Sequence, residues 1–486
     1  MPHGQELSYA VRTKVVCRFF GQFCLVLAVL TLVPLLVALV SAEMKEALNF
    51  GGVILLLALT GGLLARLRTP ADVQHNEAVV LAALVFLIPV LMAFPFGAGG
   101  LSSIDAIFEA VSGVTTTGLT TLSTVEDKSA SFLFLRAWMQ WYGGLGIMVL
   151  SLAVLIHPGM TAKRLAVTGY EENDIVGGTH ARARRTLSVY LMLTAGGVIL
   201  WILLGGKPWE GLLHILASVS TGGFAPNDNS LADLGLTRLA WLVSLVCLLG
   251  AIPLASFYEA RRLDWRRLFR DIQVRGLLGA AIVSTVVLAF CLIVAEGMGL
   301  AQVLVDAPMM AFSAQTTSGF TSIPPAEMNA VSKGVLIVVM AVGGGAGSTA
   351  GGFKILRLLI FFALLRRILR KKNMPQHAVT ETRLGSRALE DREVQDALMV
   401  ILAFVAIIIL SWLPFLAYGH DPLDALFEVV SATGTVGQSV GLCGPDLQAP
   451  LKLILCADML LGRLEIIVWL LVFYPRTWIG RRKGEE

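Results

Sequence analysis

The sequence predicts an all-α polytopic membrane protein made of four parallel repeats around one pseudo-fourfold axis, plus two extra N-terminal transmembrane helices. Three observations predict it. The 486 residues are 56% hydrophobic and only 15% charged, with a mean hydropathy of +0.75, a composition unlike that of soluble domains of this size. Several runs long enough for a helix to cross roughly 30 Å of hydrocarbon carry almost no charge, among them VVCRFFGQFCLVLAVLTLVPLLVALV and WLVSLVCLLGAIPLASFY. Between such runs one short polar, glycine-bearing pattern recurs four times.

The elements follow in order. The first apolar run, about 15–42, is too long for a cleavable signal peptide, and a second, about 51–66, comes at once. Both are read as mature helices, an N-terminal pair within residues 1–70. Four units are expected at 71–165, 166–262, 263–372 and 373–486. Each opens and closes on a long apolar run and holds one copy of the polar pattern between them. That makes ten crossings.

The copies are DAIFEAVSGVTTTGL (105–119), EGLLHILASVSTGGF (210–224), DAPMMAFSAQTTSGF (306–320) and DALFEVVSATGTVGQ (424–438). Aligned on Gly118, Gly223, Gly319 and Gly437, an acidic residue falls 13 positions earlier in each: Asp105, Glu210, Asp306 and Asp424. A threonine falls two earlier (Thr116, Thr221, Thr317, Thr435) and a small residue six earlier (Ser112, Ala217, Ser313, Ser431). Four ungapped matches are the signature of an internal repeat.

Orientation comes from the basic residues, because Lys and Arg accumulate in cytoplasmic connections. They concentrate in alternate connections: Arg12, Lys14 and Arg18; Arg66 and Arg68; Lys163 to Arg185; Arg261 to Arg275; Arg366 to Arg392; and Arg476 to Lys483. Both termini are therefore expected on the cytoplasmic side. Spread over short loops, these charges make no single basic face, which argues against nucleic acid as a partner. The six cysteines show no metal-binding spacing and mostly sit in apolar runs, as small hydrophobes do. No catalytic constellation is present, so no enzyme is expected.

The polar stretches pose the physical problem. Irregular backbone at membrane depth is tolerated only where it is buried in protein or lines a water-filled cavity. Four copies around an axis make one cavity. The segment from each acidic residue is expected to be a half-helix of about ten residues, too short to span. The acid suits its N-cap or first turn, and the C-terminal end, carrying roughly half a negative charge, points to mid-membrane. The threonine–serine–glycine strand that follows can turn its carbonyls inward, the glycines permitting the backbone angles. A ring of such carbonyls replaces the hydration shell of a monovalent cation. Each unit is thus membrane helix, pore loop, membrane helix.

At these residues the chain resembles the Trk/Ktr/HKT superfamily of potassium transporters, and specifically its bacterial TrkH/KtrB-type pore-forming subunits, over essentially its whole length. TTTGL and TVGQS look like that family's first and fourth filters, and STGGF and TTSGF like the second and third. The resemblance implies a potassium-binding filter at Thr115, Thr116, Thr117 and Gly118; Ser220, Thr221, Gly222 and Gly223; Thr316, Thr317, Ser318 and Gly319; and Gly434, Thr435, Val436 and Gly437. GGGAGSTAGGFK at 343–354 resembles the family's intramembrane gate loop, with Gly343, Gly344, Gly345, Gly347, Ser348, Thr349, Gly351, Gly352 and Lys354 as gate residues. MLLGRLEI at 459–466 resembles the segment carrying its arginine below the filter, here Arg463. It further implies potassium uptake across the bacterial inner membrane, a homodimer in the lipid bilayer, and a cytosolic nucleotide-binding regulatory ring (TrkA/KtrA-like). Potassium is then the transported ion, with no cofactor on this chain and any nucleotide on the partner.

Each motif has a blander alternative. The glycine-rich loop lacks the GK-[ST] ending of a phosphate-binding loop, but glycine-mediated helix packing remains open. Arg463, costly inside an apolar run, can pair with Asp458 or Glu465 instead of facing the cavity. His214 is expected to be a packed, neutral histidine, and Glu109 and Glu428 to satisfy hydrogen bonds behind the filter. Gln438 and Leu119 depart from the pattern, Gln438 as an unusual polar occupant and Leu119 where units two and three have Phe. The segment 366–392 offers a docking surface or a solvated linker. Sodium- or proton-coupled symport in the same fold stays open. An alternating-access solute transporter would predict inverted repeats, whereas these are parallel.

Overall fold

The computed structural model describes residues 10–70, 73–155, 175–263, 266–373, 375, 381–385 and 387–479. The described chain is almost entirely helical, as a chain deprived of water must be to satisfy its own backbone. Among the described residues the single β element is a short antiparallel hairpin, Arg383–Leu384 with Arg387–Ala388.

The N-terminal pair is α1 (Thr13–Val40) and α2 (Met44–Ala65). Small residues let the two backbones close on each other: a Cβ on Gly21 would lie 2.7 Å from the Ala65 nitrogen, and one on Gly61 2.8 Å from the Gly21 carbonyl oxygen. Their outer faces expose Val26, Val29, Leu55 and Leu59.

The first unit runs α3 (His75–Leu87), a 3-10 turn around Pro89, α4 (Ala93–Ala98), the half-helix α5 (Ser103–Val114) and α6 (Ala130–Leu155). The second comprises α7 (Ile175–Leu203), half-helix α8 (Pro208–Val219), α9 (Thr237–Gly250), α10 (Leu254–Leu263) and α11 (Arg266–Arg270). The third has α12 (Ile272–Val294), half-helix α13 (Leu300–Gln315), α14 (Ala330–Val342) and α15 (Ile355–Lys372). The fourth has α16 (Asp391–Ala417), half-helix α17 (Pro422–Thr433), α18 (Ala449–Arg463), α19 (Ile466–Phe473) and α20 (Pro475–Trp478).

Among the described residues six helical spans are long and apolar enough to cross a membrane: Thr13–Val40, Met44–Ala65, Asn76–Ala98, Ala183–Leu203, Ile272–Val294 and Asp391–Ala417. Ten crossings are expected, one of them interrupted at the glycine run; in the structure the second helices of all of the last three units are interrupted. These break at 251–253, at 343–354 and at Leu464–Glu465. Pro253, which lacks an N–H, explains the first break and the glycine run the second. The basic connection holding Lys163 lies outside the described residues, as do 1–9 and 480–486 of the tails.

The half-helices form the interior. Phe108, Leu213, Met310 and Phe427 on them are buried, and the lipid-facing layer is left to the long first helices. The second helices reach the half-helices through glycine. A Cβ on Gly143 or Gly462 would fall on the carbonyl oxygen of Val114 or Thr433, and one on Gly250 would lie 2.7 Å from that of Val219.

Candidate ion pathway

The half-helices start as their sequences dictate. The Ser102 hydroxyl accepts from the Asp105 amide at 3.2 Å, and Asp421 Oδ1 accepts from the Leu423 and Asp424 amides at 2.9 and 3.0 Å. Pro208 and Pro422 occupy first-turn positions where a missing N–H costs nothing. Asp105, Glu210 and Asp424 lie in first turns, facing the positive end of the helix dipole. Asp306 does not. The run LAQVLV extends α13 to Leu300, so Asp306 sits beyond the first turn, and the half-helix is 16 residues long against 12 in the other three.

All four end identically. The amides of Thr117, Gly222, Ser318 and Val436 donate to the carbonyls five residues back, on Ser112, Ala217, Ser313 and Ser431, at 2.8–3.0 Å. The amides of Thr116, Thr221, Thr317 and Thr435 donate to carbonyls three residues back. This is the Schellman closure, whose pivot takes a left-handed conformation and is usually glycine. Here the pivot is threonine each time, at φ +53°, +53°, +53° and +50°. Glycines follow two residues on at φ +92°, +81°, +74° and +96° (Gly118, Gly223, Gly319, Gly437). Sequence reasoning assigned the backbone freedom to the glycines alone. The threonines share it, held there by the closure.

These strands meet. A Cβ on Gly118 would strike the Gly222 carbonyl oxygen, on Gly223 that of Ser318, on Gly319 that of Val436, and on Gly437 that of Thr117. The cycle 1→2→3→4→1 closes in chain order, with one carbonyl from each strand set against the preceding strand's glycine. All sixteen residues expected in the filter lie on these four stretches.

Side chains brace the strands from behind. Ser112 and Ser431, the small residues of the repeat, accept from the amides of Gly118 and Gly437 at 3.1 Å. The Glu109 carboxylate accepts from Thr120 Oγ1 and from the Thr121 amide at 3.1 Å, and it pairs with buried Arg136 at 3.1 Å. Arg136 also lies over the Phe224 ring, 3.9 Å from its centre. Glu428 accepts from Ser439 Oγ at 2.5 Å and from the Val440 amide at 3.0 Å. His214 is buried, bonded through Nδ1 to the Glu210 carbonyl at 2.9 Å and stacked on Trp201. Gln438 is buried as well, its amide 3.4 Å from Ser313 Oγ.

Below the ring, residues 343–354 fill the break between α14 and α15. The Gly351 amide donates to Thr317 Oγ1 at 2.6 Å, and the Gly352 amide to the Gly434 carbonyl at 3.0 Å. Thr349 Oγ1 lies 3.3 Å from Thr221 Oγ1 and 3.0 Å from the Gly250 carbonyl. Gln315 Nε2 donates to the Gly343 carbonyl at 2.6 Å, the Gly345 amide to that of Ala251 at 3.0 Å, and Ser348 Oγ to that of Gly345 at 2.6 Å. Gly344 packs on Ala251 and Gly347 takes φ +78°. Lys354 folds back so that Nζ donates to the Ala350 carbonyl. Arg463 reaches the loop from the fourth unit, donating through Nη1 to the Thr349 carbonyl at 2.6 Å. Neither alternative partner holds it: Asp458 accepts from Ser411 at 2.6 Å, and Glu465 pairs with Arg357 at 2.7 Å.

Sequence reasoning missed two features of this region. Lys452 pairs with Asp105 at 2.6 Å and Lys333 with Asp424 at 2.7 Å, each tying a second helix to the next unit's half-helix. The only signal was a lysine near the start of each apolar run. Gln140 was equally hidden, one amide in an apolar helix.

Membrane-length helices around four half-helices, whose strands meet in a closed cycle of carbonyl-to-glycine contacts, define a multi-pass membrane protein. Residues 46–478 match the profile of the TrkH family, described as a cation transport protein. The chain belongs to that family, whose members are transporters and not enzymes. It is similar to the Trk system potassium uptake protein TrkI of Halomonas elongata, 33% identical over 93% of this chain and 94% of that one. It is also similar to the Trk system potassium uptake protein TrkH of Escherichia coli, 30% identical over 77% and 79% of the two chains. The crystal structure of the potassium transporter TrkH from Vibrio parahaemolyticus has the same fold, with a TM-score of 0.86 at 24% identity over 96% of this chain and 100% of that one.

Proposed function

We propose that this protein takes up potassium across the bacterial inner membrane through a carbonyl-lined filter, with both termini in the cytoplasm. The observation that carries this reading is the cyclic contact of the four strands, each offering a carbonyl beside the preceding strand's glycine. Bare peptide oxygens suit a monovalent cation that must dehydrate, bind weakly and leave quickly. The inward-negative potential supplies about 2.3 kcal/mol per charge per 100 mV, enough to concentrate the ion without a chemical step.

The loop 343–354 is the gate in this reading. It lies directly under the strands, hydrogen-bonded to Thr317 and Gly434, and Arg463 fastens it from the neighbouring fourth unit. Gating is assigned to a separate cytosolic nucleotide-binding subunit beneath a homodimer, with the basic segment 366–392 as its landing surface. The relatives' names, which describe potassium uptake by a Trk system, support the ion and the existence of a multi-component system.

Rubidium or potassium uptake in cells lacking their own potassium importers tests the function, with and without the candidate partner. Gly319→Ser tests the filter. It places a side chain against the Val436 carbonyl at φ +74°, and the potassium-over-sodium permeability ratio is expected to fall. An unchanged ratio in a folded Gly319→Ser protein removes that glycine from the filter.

A further inference from the structure

The second strand lacks the braces that hold the others. Thr117 Oγ1 bonds Thr115 Oγ1 at 2.8 Å, and Ser318 Oγ bonds Thr316 Oγ1 at 3.2 Å, so these side chains tie their strands to their own half-helices. Val436, at the same position of the fourth strand, is buried. In the second strand the position is Gly222, with no side chain. The serine that bonds the filter glycine's amide in the first and fourth units is here Ala217. Judged from its own unit, this strand is the loosest of the four.

A residue of the neighbouring unit fills the gap. Gln140, fully buried on α6, donates through Nε2 to the Gly222 carbonyl and accepts through Oε1 from the Phe224 amide at 3.1 Å. Both ends of its amide are used, one on either side of Gly223. A Cβ on Gly222 would find Gln140 Cδ and Oε1 at 2.5 Å and Nε2 at 2.9 Å, and these are its three nearest atoms. Gly222 is not at positive φ, so nothing in its own backbone demands glycine. The glycine is there because Gln140 occupies the side chain's space.

The repeat makes the exchange visible. Gln140 stands three residues before Gly143; the matching positions before Gly250, Gly343 and Gly462 are Cys247, Met340 and Met459. Where the strand carries its own side chain, the neighbouring second helix contributes a thiol or thioether. Where the strand has none, it contributes a carboxamide. The Gly222 carbonyl that Gln140 engages is also the second strand's member of the ring.

We infer that Gln140 is a specificity-determining positioning residue, fixing the Gly222 carbonyl and hence one quarter of the ring. The inference rests on the filter reading above. A carbonyl released from Gln140 can follow a smaller ion inward, so selectivity for potassium over sodium depends on a residue outside every filter stretch.

The test uses the full chain in proteoliposomes, with the potassium-over-sodium permeability ratio read from bi-ionic reversal potentials. Gln140→Leu, similar in volume but unable to hydrogen-bond, is expected to lower the ratio roughly two- to tenfold, the range of one net hydrogen bond. Gly222→Ser alone is expected to conduct poorly, because its side chain meets Gln140. Gln140→Ala combined with Gly222→Ser gives the strand its own brace and room for it, and the ratio is expected to recover towards the native value. An unchanged ratio in Gln140→Leu while Gly319→Ser shifts it overturns the inference and leaves the filter standing. If neither variant shifts the ratio, the filter reading itself falls. Should Gln140→Leu fail to fold, the paired variant decides: recovery supports the exchange, and a low ratio refutes it.

Discussion

Replacing Arg463 by Gln should open the proposed gate in the absence of any partner. The guanidinium makes one protein hydrogen bond, Nη1 to the Thr349 carbonyl at 2.6 Å, and that carbonyl belongs to the loop under the filter. A hydrogen bond to a charged group contributes about 1.5–3 kcal/mol. Lost from the closed state alone, it shifts the closed-to-open ratio roughly 10- to 150-fold. Removing the positive charge also lowers the barrier to a passing cation, in the same direction. Arg463→Lys separates the two, because it keeps the charge and gives up the planar fork that holds the carbonyl. The fold should survive both changes: Nε and Nη2 of Arg463 have no partner among the described residues, so the site is costly to the protein as it stands. The assay is rubidium flux into proteoliposomes containing the pore chain only. The expected order is Gln above Lys above the native protein. Flux from the Gln variant at or below the native level, at equal amounts of folded protein, refutes the fastening role of Arg463.

Deleting Gly345–Gly347 should likewise raise unregulated flux, since the shortened loop cannot keep its bonds to Ala251, Thr221 and Gly434 together; a silent pore in the same flux assay counts against gating there. Gly462→Val should abolish assembly, because even a Cβ falls on the Thr433 carbonyl; a monodisperse, conducting Gly462→Val protein shows that the close approach is dispensable. Lys452→Met leaves Asp105 half-buried without its cation and should lower thermal stability, with Lys452→Met/Asp105→Asn regaining part of the loss. Additive effects in that cycle, followed by thermal denaturation, would mean that the pair is not coupled.

Much of this fold was legible because the repeat is literal. The glycine, the threonine two residues before it and the acid thirteen before it recur without gaps, and the half-helices start and stop where those residues stand. The exceptions have local causes. Asp306 carries the acidic signature, yet the apolar run before it continues the helix outward, so propensity overrode the cap. The left-handed threonines were hidden because threonine in a filter reads as a supplier of oxygen, while the Schellman pivot is normally a glycine. The break at 343–354 was visible in its glycines. That at Leu464–Glu465 was not, for it contains neither glycine nor proline, and Glu465 takes φ +62° without a sequence cue. Gln140 was illegible for a different reason: its meaning depends on which strand packs behind α6, a tertiary fact.

The unequal units follow from the job assigned to one of them. Identical copies could line an axis, but a single plug needs one unit to differ, and the break between α14 and α15 is the long one, twelve residues (343–354) against three at 251–253 and two at Leu464–Glu465. The consequence spreads to the neighbours. Thr349 needs the Val219 and Gly250 carbonyls of the second unit, Gly351 needs the third unit's Thr317, and Gly352 needs the fourth unit's Gly434. Where the chain resumes, Lys354 stands at φ +74° immediately before α15, and Glu465 stands at φ +62° immediately before α19. Both are conformations that L-residues occupy at a cost of order 1–3 kcal/mol. Arg357 on the first turn of α15 joins these two hinges by its 2.7 Å pair with Glu465. A loop that withdraws by moving α15 must therefore break or drag that pair, and with it the segment carrying Arg463. In the proposed gating, the fastening and the hinge are consequently one mechanical element, and a partner pulling on the Lys372 end of α15 would act on both at once.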